Sequence, residues 1–203
     1  MALNFANNNS LSAITSLPAS ISGGGMTLIS TQTASSSSTI SFTSGIDSTY
    51  DEYVFKFYDI HPQTDGVQFQ FNLSADSGSN YDVTKTTTNF FAANPEDGGA
   101  TEFLYDGGKD LAQGTGFQSL IGGASSGSDN DQSSVGTLHL FNPSSTTFVK
   151  HFISRTNTII NSDKSCDSYI AGYGNTTSAV DAVQFKFSSG NIDSGVIKLY
   201  GIS

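Results

Sequence analysis

The sequence has little of several residue types, and each scarcity excludes a class of protein. Its 203 residues include a single cysteine, Cys166, so no intramolecular disulfide can form and a small disulfide-stapled scaffold is excluded. Tryptophan is absent and there are four prolines. No stretch approaches the ~20 apolar residues of a membrane-spanning helix. We therefore predict an ordinary hydrophobic core and no membrane insertion.

Charge is also scarce, and most of it has one sign. Charged residues make up 13% of the chain, against ~25% in an average soluble domain, and the formal net charge is −10. Such a surface repels nucleic-acid phosphates and anionic lipids, so we expect no nucleic-acid partner. The opening Met1–Phe5 has no basic region, which predicts that it is not a secretory signal.

The chain is rich in alternation of apolar and polar residues, clearest in 53–57, 67–74 and 183–187. Successive side chains of a strand point to opposite faces, whereas a helix would scatter these phenylalanines around its surface. The apolar members of the middle run are predicted to be buried: Val67, Phe69, Phe71 and Leu73. Its polar members are predicted to face solvent: Gln68, Gln70, Asn72 and Ser74.

About ten to twelve such strands can be placed along the chain, without a convincing amphipathic helix. We predict an all-β fold, an antiparallel two-sheet sandwich that is jelly-roll-like. Residues 1–25 are predicted to be an N-terminal arm that makes assembly contacts. Residues 26–203 are predicted to be a β-sandwich domain with a long loop insertion around 106–134. Because long loops are often functional, this insertion is where we expect a binding surface.

Three local patterns make sharper predictions. Asp65-Gly66 lies between two alternating runs, which predicts a β-hairpin. Residues 34–38 are predicted to be a serine-rich loop. In the predicted strand 147–156, apolar residues occupy both parities, which predicts cover on both faces.

Candidate metal ligands are few. His139 and His151 lie on neighbouring predicted strands, but zinc needs a further ligand, and Cys166 is the remaining soft donor. The acidic loops 76–80 and 129–131 lack the twelve-residue calcium pattern that ends in a bidentate Glu. Turn formation explains their Asp, Asn and Gly residues more simply. We predict no metal site and no cofactor.

Candidate catalytic groups are equally few. The only glutamates are Glu52, Glu96 and Glu102, and nothing in their placement marks the buried carboxylate pair of a glycosidase. There is no nucleophile elbow and no phosphate-binding loop. We predict no catalytic residue and no enzyme. Four tyrosines could form a sugar- or protein-binding surface, or simply reflect the preference of strands for tyrosine: Tyr50, Tyr58, Tyr105 and Tyr173.

Two stretches, 50–62 and 183–202, resemble small β-rich virion structural proteins of tailed bacteriophages, especially marine phages and cyanophages. The similarity covers residues 1–203 and is strongest at 40–92 and 135–203. Its most specific feature is a Gly-x-Ile-x-Leu-Tyr-Gly-type ending, here Gly195, Ile197, Leu199, Tyr200 and Gly201. Val196 stands between the first two and leaves the alternation intact. The resemblance implies a tail-fibre-like protein, and it carries over no catalytic residue.

We therefore expect a structural component of a tailed-phage virion, associated with the tail or its fibres and assembled in the host cytoplasm. It would oligomerise through residues 1–25 and contact the host surface through 106–134. Its expected partners are copies of itself, other virion proteins, and a host-surface glycan or protein. One alternative is a capsid decoration or cement protein. An alternative of another class is a carbohydrate-binding module or glycan hydrolase.

Overall fold

The computed structural model describes residues 25–123 and 125–202, and every regular element within them is a β-strand. The predicted arm, residues 1–25, lies outside the described residues except for Gly25. Twelve strands follow one another in chain order: β1 (Met26–Ser37), β2 (Ile40–Phe42), β3 (Glu52–Pro62), β4 (Phe69–Ser74), β5 (Lys85–Pro95), β6 (Glu102–Tyr105), β7 (Gln118–Ser119), β8 (Ser134–Phe141), β9 (Lys150–Ile160), β10 (Lys164–Gly174), β11 (Ala182–Phe187) and β12 (Ile192–Ile202).

The strands form two antiparallel sheets that pack as a sandwich, which confirms the predicted all-β, two-sheet fold. The larger sheet has eight strands in the order β1-β12-β3-β8-β9-β10-β5-β6. The smaller sheet has four, in the order β2-β11-β4-β7. Along the chain, β1 to β4 alternate between the larger and the smaller sheet. The last four strands of the larger sheet, β9, β10, β5 and β6, carry most of the candidate site described below.

The three alternating runs at 53–57, 67–74 and 183–187, which we call the phenylalanine ladders, meet between the two sheets and form the centre of the core. Phe185 of β11 lies 5.2 Å from Phe55 and 5.3 Å from Phe57 of β3, measured between ring centroids, and both contacts are edge-on. Phe69 and Phe71 of β4 are fully buried beside them. Each buried phenylalanine contributes roughly 1.5–3 kcal/mol, so this cluster is a large part of the stabilising free energy. The prediction that the ladders face inward is confirmed.

The prediction that the polar side of β4 faces solvent is wrong for Gln68, Asn72 and Ser74, which are all buried. The Asn72 side-chain amide donates to the carbonyl of Thr115 at 2.9 Å, and Gln68 accepts a hydrogen bond from the Ser119 hydroxyl at 2.8 Å. These partners belong to the segment that follows β6. Because buried amides need such partners, the polar side of β4 is satisfied by this segment rather than by water.

The hairpin predicted at Asp65-Gly66 is also wrong. A turn does form there, and Gly66 has a φ of +71°. However, β3 pairs with β12 and β8, whereas β4 pairs with β11 and β7, so the turn carries the chain from one sheet to the other. Two strands with one apolar face each can pair side by side or pack face to face. Here Phe57 and Phe69 meet across the sandwich, with their centroids 5.3 Å apart.

The serine-rich loop predicted at residues 34–38 is instead the last part of β1, which continues to Ser37. Ser35 pairs with Ser194 and Ser37 pairs with Ile192 on β12. Small hydroxyl side chains allow either a loop or a strand. The long partner β12 decides in favour of the strand by providing a continuous row of backbone hydrogen bonds.

Between β6 and β8, the described residues contain one regular element, the two-residue β7. Leu120 and Ile121 of this segment are fully buried. Ser126 bridges both to Val67, just before β4, and to Ile160, at the end of β9. The segment therefore lies against both sheets, and part of it is core rather than surface loop.

Candidate binding face

The outer face of the larger sheet carries a line of stacked groups that crosses four strands. We call it the aromatic row, and it consists of Phe103 (β6), Phe90 (β5), Tyr169 (β10) and Arg155 (β9). Phe90 and Tyr169 are cross-strand partners whose ring planes differ by 4° and whose centroids lie 5.0 Å apart. Phe103 meets Phe90 edge-on at 6.0 Å, and the Arg155 guanidinium lies 5.1 Å from the Tyr169 centroid. The ring faces in the row are therefore largely used by neighbours within it.

Asp167 holds the end of the aromatic row in place. Its carboxylate accepts hydrogen bonds from Arg155 Nε at 3.1 Å and Nη2 at 2.7 Å, and from the Tyr169 hydroxyl at 3.0 Å. The bidentate contact with Arg155 holds the pKa of Asp167 below its usual value, and it raises the pKa of Arg155. The guanidinium is thus fixed as a cation against the tyrosine ring.

Next to the aromatic row lies an apolar trough with a volume of about 490 Å³. Its lining comes from four strands: Thr86, Thr87, Thr88, Phe141, His151, Phe152, Ile153, Ala171, Gly172 and Tyr173. The short side chain of Ala171 forms the floor, opposite Thr88 on β5 and Ile153 on β9. Two positions to either side of Ala171 stand Tyr169 and Tyr173, roughly 13 Å apart along the strand. Aromatic side chains therefore flank a low apolar floor.

The prediction that both faces of the strand at 147–156 are covered is wrong for its outer face. Phe152 is buried in the core, but Ile153 points outward and its side chain is 54% exposed. Among the described residues, nothing covers this side of β9. An apolar patch of this kind on a folded domain is typical of a contact surface.

The structure does not assemble the candidate metal ligands. His139 and His151 share the outer face of paired strands, but they lie diagonally, because Ile153 is the residue opposite His139. His139 Nδ1 is instead 2.5 Å from Glu52 Oε1. Cys166 is fully buried on the inner side, and burial raises the pKa of its thiol. No cluster of three or more metal-ligating side chains occurs within residues 25–123 and 125–202.

In the acidic loop at residues 76–80, the Asp76 carboxylate is hydrogen-bonded by neighbouring residues of the same turn. Asp76 accepts hydrogen bonds from the backbone and side-chain amides of Asn80 at 2.9 and 2.7 Å and from the Ser74 hydroxyl at 2.7 Å. These bonds, those from Asn80 foremost, lower the pKa of Asp76. In the second loop, the Asp129 carbonyl oxygen accepts the backbone N–H of Gln132 at 2.9 Å. Both are turn interactions.

The glutamates do not converge either. Glu52 on β3 and Glu102 on β6 are separated by five strand positions in the larger sheet, which corresponds to roughly 24 Å. Glycosidase carboxylates lie ~5–9.5 Å apart. Glu102 forms an ion pair with Lys164 at 2.6 Å, and Glu96 follows the end of β5. These acids are placed as separate surface groups.

The four candidate tyrosines lie in different places. Tyr173 lines the trough, and Tyr105 is 57% exposed on β6. Tyr58 lies beneath the ammonium group of Lys198, 5.3 Å from its ring centroid. Tyr50 packs against the core. Only Tyr173 and Tyr105 are therefore close to the candidate binding face.

Sequence reasoning missed Phe90, Tyr169 and Arg155 as a unit. Each lies on a predicted strand, but they are separated by up to 79 positions of sequence, and only the register of β5, β10 and β9 aligns them. The alternation of apolar and polar residues in each strand could have predicted that these side chains face outward. It does not indicate which strands are neighbours in the sheet.

No helix among the described residues is long and apolar enough to cross a membrane. Comparison with protein-family models, with curated proteins and with solved structures finds no match for this chain.

Proposed function

We propose that this protein is a non-enzymatic structural component of a tailed-phage virion, associated with the tail or its fibres, and that it binds a neighbouring protein through the trough. The single observation that carries the contact role is the trough itself, which is apolar and preformed and which no part of the described chain covers. The resemblance of residues 50–62 and 183–202 to virion proteins supports the location.

The chemistry of the trough favours a protein ligand over a glycan. A glycan brings many hydroxyl groups that need hydrogen-bond partners. The Thr86 hydroxyl already accepts hydrogen bonds from Gln113, and the Thr88 hydroxyl is 3.4 Å from the Ala171 carbonyl. With the ring faces of the aromatic row also occupied, an apolar side chain fits better than a sugar ring. This ranks a structural contact above a carbohydrate-binding module.

The order of the strands in the two sheets further supports the proposed virion role. We infer a jelly roll, in which β1-β12-β3-β8 and β2-β11-β4-β7 are the two four-stranded halves. The hairpins β5–β6 and β9–β10 then extend one half, and they carry nearly the whole binding face. Jelly rolls build many viral capsid proteins and also lectins. The alternative roles, a capsid decoration protein and a glycan-binding module, therefore enter the experiment as outcomes.

The test is association with purified particles, measured by quantitative mass spectrometry after density-gradient separation. We expect the wild-type chain to co-purify with particles, and Ile153→Glu or Ala171→Glu to reduce its amount at least tenfold, because each places a carboxylate in the trough. Val135→Glu is the matched control, since Val135 is 41% exposed on the same sheet face outside the trough.

The outcomes separate the candidates. Absence of the wild-type chain from particles contradicts a virion role, and full incorporation of Ile153→Glu contradicts the trough as the contact. A few copies at a vertex favour the tail, whereas a regular lattice of copies favours capsid decoration. Binding to a glycan array that Ala171→Glu abolishes would favour the carbohydrate-binding module. Glycan hydrolysis that requires a glutamate would favour an enzyme.

A further inference from the structure

The last strand of the larger sheet, β6, has an open edge. It pairs with β5 on one side and with no described strand on the other. Its three consecutive large apolar side chains are strongly exposed, with Phe103 at 72%, Leu104 at 54% and Tyr105 at 57%. Natural edge strands usually carry charges, prolines or bulges that prevent pairing. The opposite edge strand, β1, exposes Met26 and Leu28 near its start but is otherwise mostly serine and threonine, so β6 carries the longer run of exposed apolar side chains.

On this edge, the backbone of β6 has hydrogen-bonding groups that no described residue engages. The Asp106 N–H donates to the Asn89 carbonyl at 2.8 Å, which fixes the phase of the β5–β6 ladder. Since hydrogen-bonded and non-hydrogen-bonded positions alternate in an antiparallel pair, the N–H and C=O groups of Phe103 and Tyr105 point away from β5. An extended strand is the ligand that such a row of donors and acceptors fits.

We propose that β6 pairs antiparallel with β6 of a second copy of this chain, joining the two larger sheets into one. The symmetric register is centred on Leu104, which lies opposite Leu104 of the second copy. Phe103 then lies opposite Tyr105 of the second copy, and this aromatic pair occurs twice. Both pairs fall at hydrogen-bonded positions, so the free backbone groups of both edges are used. The same patch serves both copies, as a twofold interface requires.

This register also continues the aromatic row. Tyr105 is the cross-strand partner of Phe90, which stacks on Tyr169. In the dimer, the line of rings passes from Tyr105 to Phe103 of the second copy without a gap. A twofold axis normal to the sheet leaves both troughs on one face. The dimer thus deepens the proposed function by presenting two contacts together, which strengthens binding through effective concentration. The pairing itself rests on β6 and not on the proposed function.

Charge opposes the pairing and makes it salt-dependent. Each copy has a net charge of −10, and the register places Glu102 opposite Asp106 of the second copy. Lys164 partly offsets this, because its ammonium group lies 2.6 Å from Glu102. The short edge and the acidic pairs predict a weak dimer. Raising the salt concentration from ~50 mM to ~500 mM is expected to tighten it several-fold by screening.

The first test is sedimentation equilibrium of the full chain over a range of concentrations and salt. We expect a monomer–dimer equilibrium that Tyr105→Pro weakens at least tenfold. Proline removes an N–H that points away from β5, so the ladder within the chain is kept. Phe148→Ser is the control, because Phe148 is 69% exposed but lies in the loop before β9. A wild-type chain that stays monomeric at every concentration overturns the proposal, as does a Phe148→Ser effect equal to that of Tyr105→Pro.

The second test reads the register and does not depend on proline being tolerated. Under mild oxidation, Leu104→Cys is expected to form a disulfide-linked dimer rapidly, because opposite non-hydrogen-bonded positions bring Cβ atoms to ~4.5–5.5 Å. Val135→Cys is the exposed control, and the native Cys166 is fully buried. Equal cross-linking of both variants overturns the register. Ile153→Glu should leave the dimer intact, so failure of the dimer and failure of the trough are distinguishable.

Discussion

Phe90 and Tyr169 face each other across β5 and β10 with nearly parallel rings, 5.0 Å apart at their centroids. The other face of Tyr169 is covered by Arg155, whose guanidinium is fixed by Asp167. An outward-facing tyrosine is usually free to change rotamer, but this one is held on both faces and at its hydroxyl. The binding face is therefore rigid before any partner arrives, which lowers the entropic cost of binding.

Removing the Tyr169 ring should lower the free energy of unfolding more than removing an ordinary surface tyrosine does. We expect Tyr169→Ala to lower the free energy of unfolding by about 1–2 kcal/mol, since it removes one ring stack and one cation–π contact. Tyr58→Ala is the control, because Tyr58 is 40% exposed and contacts a cation but belongs to no ring stack of the row. Urea denaturation measures both, and equal losses would contradict the stacking argument.

The Arg155–Asp167 pair predicts a specific titration. Arg155→Met should raise the pKa of Asp167 toward its ordinary value, because the bidentate contact is the main cause of the lowered pKa. The pKa of Asp76, which is lowered by its own turn, should not move. Carbon-detected NMR titration of the carboxyl groups resolves both.

The same pair predicts how stability depends on pH. A carboxyl whose pKa is lowered by folding stabilises the protein above its unfolded pKa, near 3.9, and this contribution is lost as the pH falls through the folded value. Because the Arg155 side chain is largely exposed, solvent screens the ion pair and its contribution to stability is small. A stability difference between wild type and Arg155→Met that persists unchanged well below pH 3.9 would contradict this assignment.

Lys85 predicts a rise of stability at alkaline pH. Its side chain is fully buried, with Nζ donating to the Val83 carbonyl at 2.7 Å and to Asn72 Oδ1. Burial lowers its pKa to about 8, although Asp82 opposes the shift. Between this value and the unfolded pKa of about 10.4, the unfolded chain binds more protons, so stability increases with pH there.

The comparison that isolates this effect is wild type against Lys85→Met. The free energy of unfolding of wild type, relative to the variant, is expected to rise by roughly 2–3 kcal/mol from pH 8 to pH 10.5. The titration of groups that both proteins share cancels in this difference. Lys186→Met is the control for the loss of one positive charge. Parallel pH profiles for wild type and Lys85→Met would show that burial of the ammonium group does not govern its titration.

Phe185 predicts the largest loss of stability by a single truncation. Its ring contacts five other phenylalanines from three strands: Phe42, Phe55, Phe57, Phe69 and Phe71. We expect Phe185→Ala to cost about 3–5 kcal/mol, because it leaves a cavity where the two sheets meet. Phe148→Ala, at an exposed site, should stay within about 0.5 kcal/mol of wild type. Chemical denaturation of both variants is the measurement.

The alternation of apolar and polar residues is sufficient to predict the all-β class, most of the strands and the inward side of each ladder. Phe55, Phe71 and Phe185 could be assigned to the core without coordinates, because a period of two places alternate side chains on one face of any strand. This information is local, since it depends only on residues a few positions apart.

Which strands are neighbours is known only from the folded chain. The tertiary structure placed the runs on either side of Asp65-Gly66 in different sheets, and it buried Asn72 beneath a segment more than forty positions away. It also aligned Phe90, Tyr169 and Arg155 into one row. Alternation is the same for a strand that pairs side by side and one that packs face to face. The choice between them is made by non-local burial, which no short stretch of sequence contains.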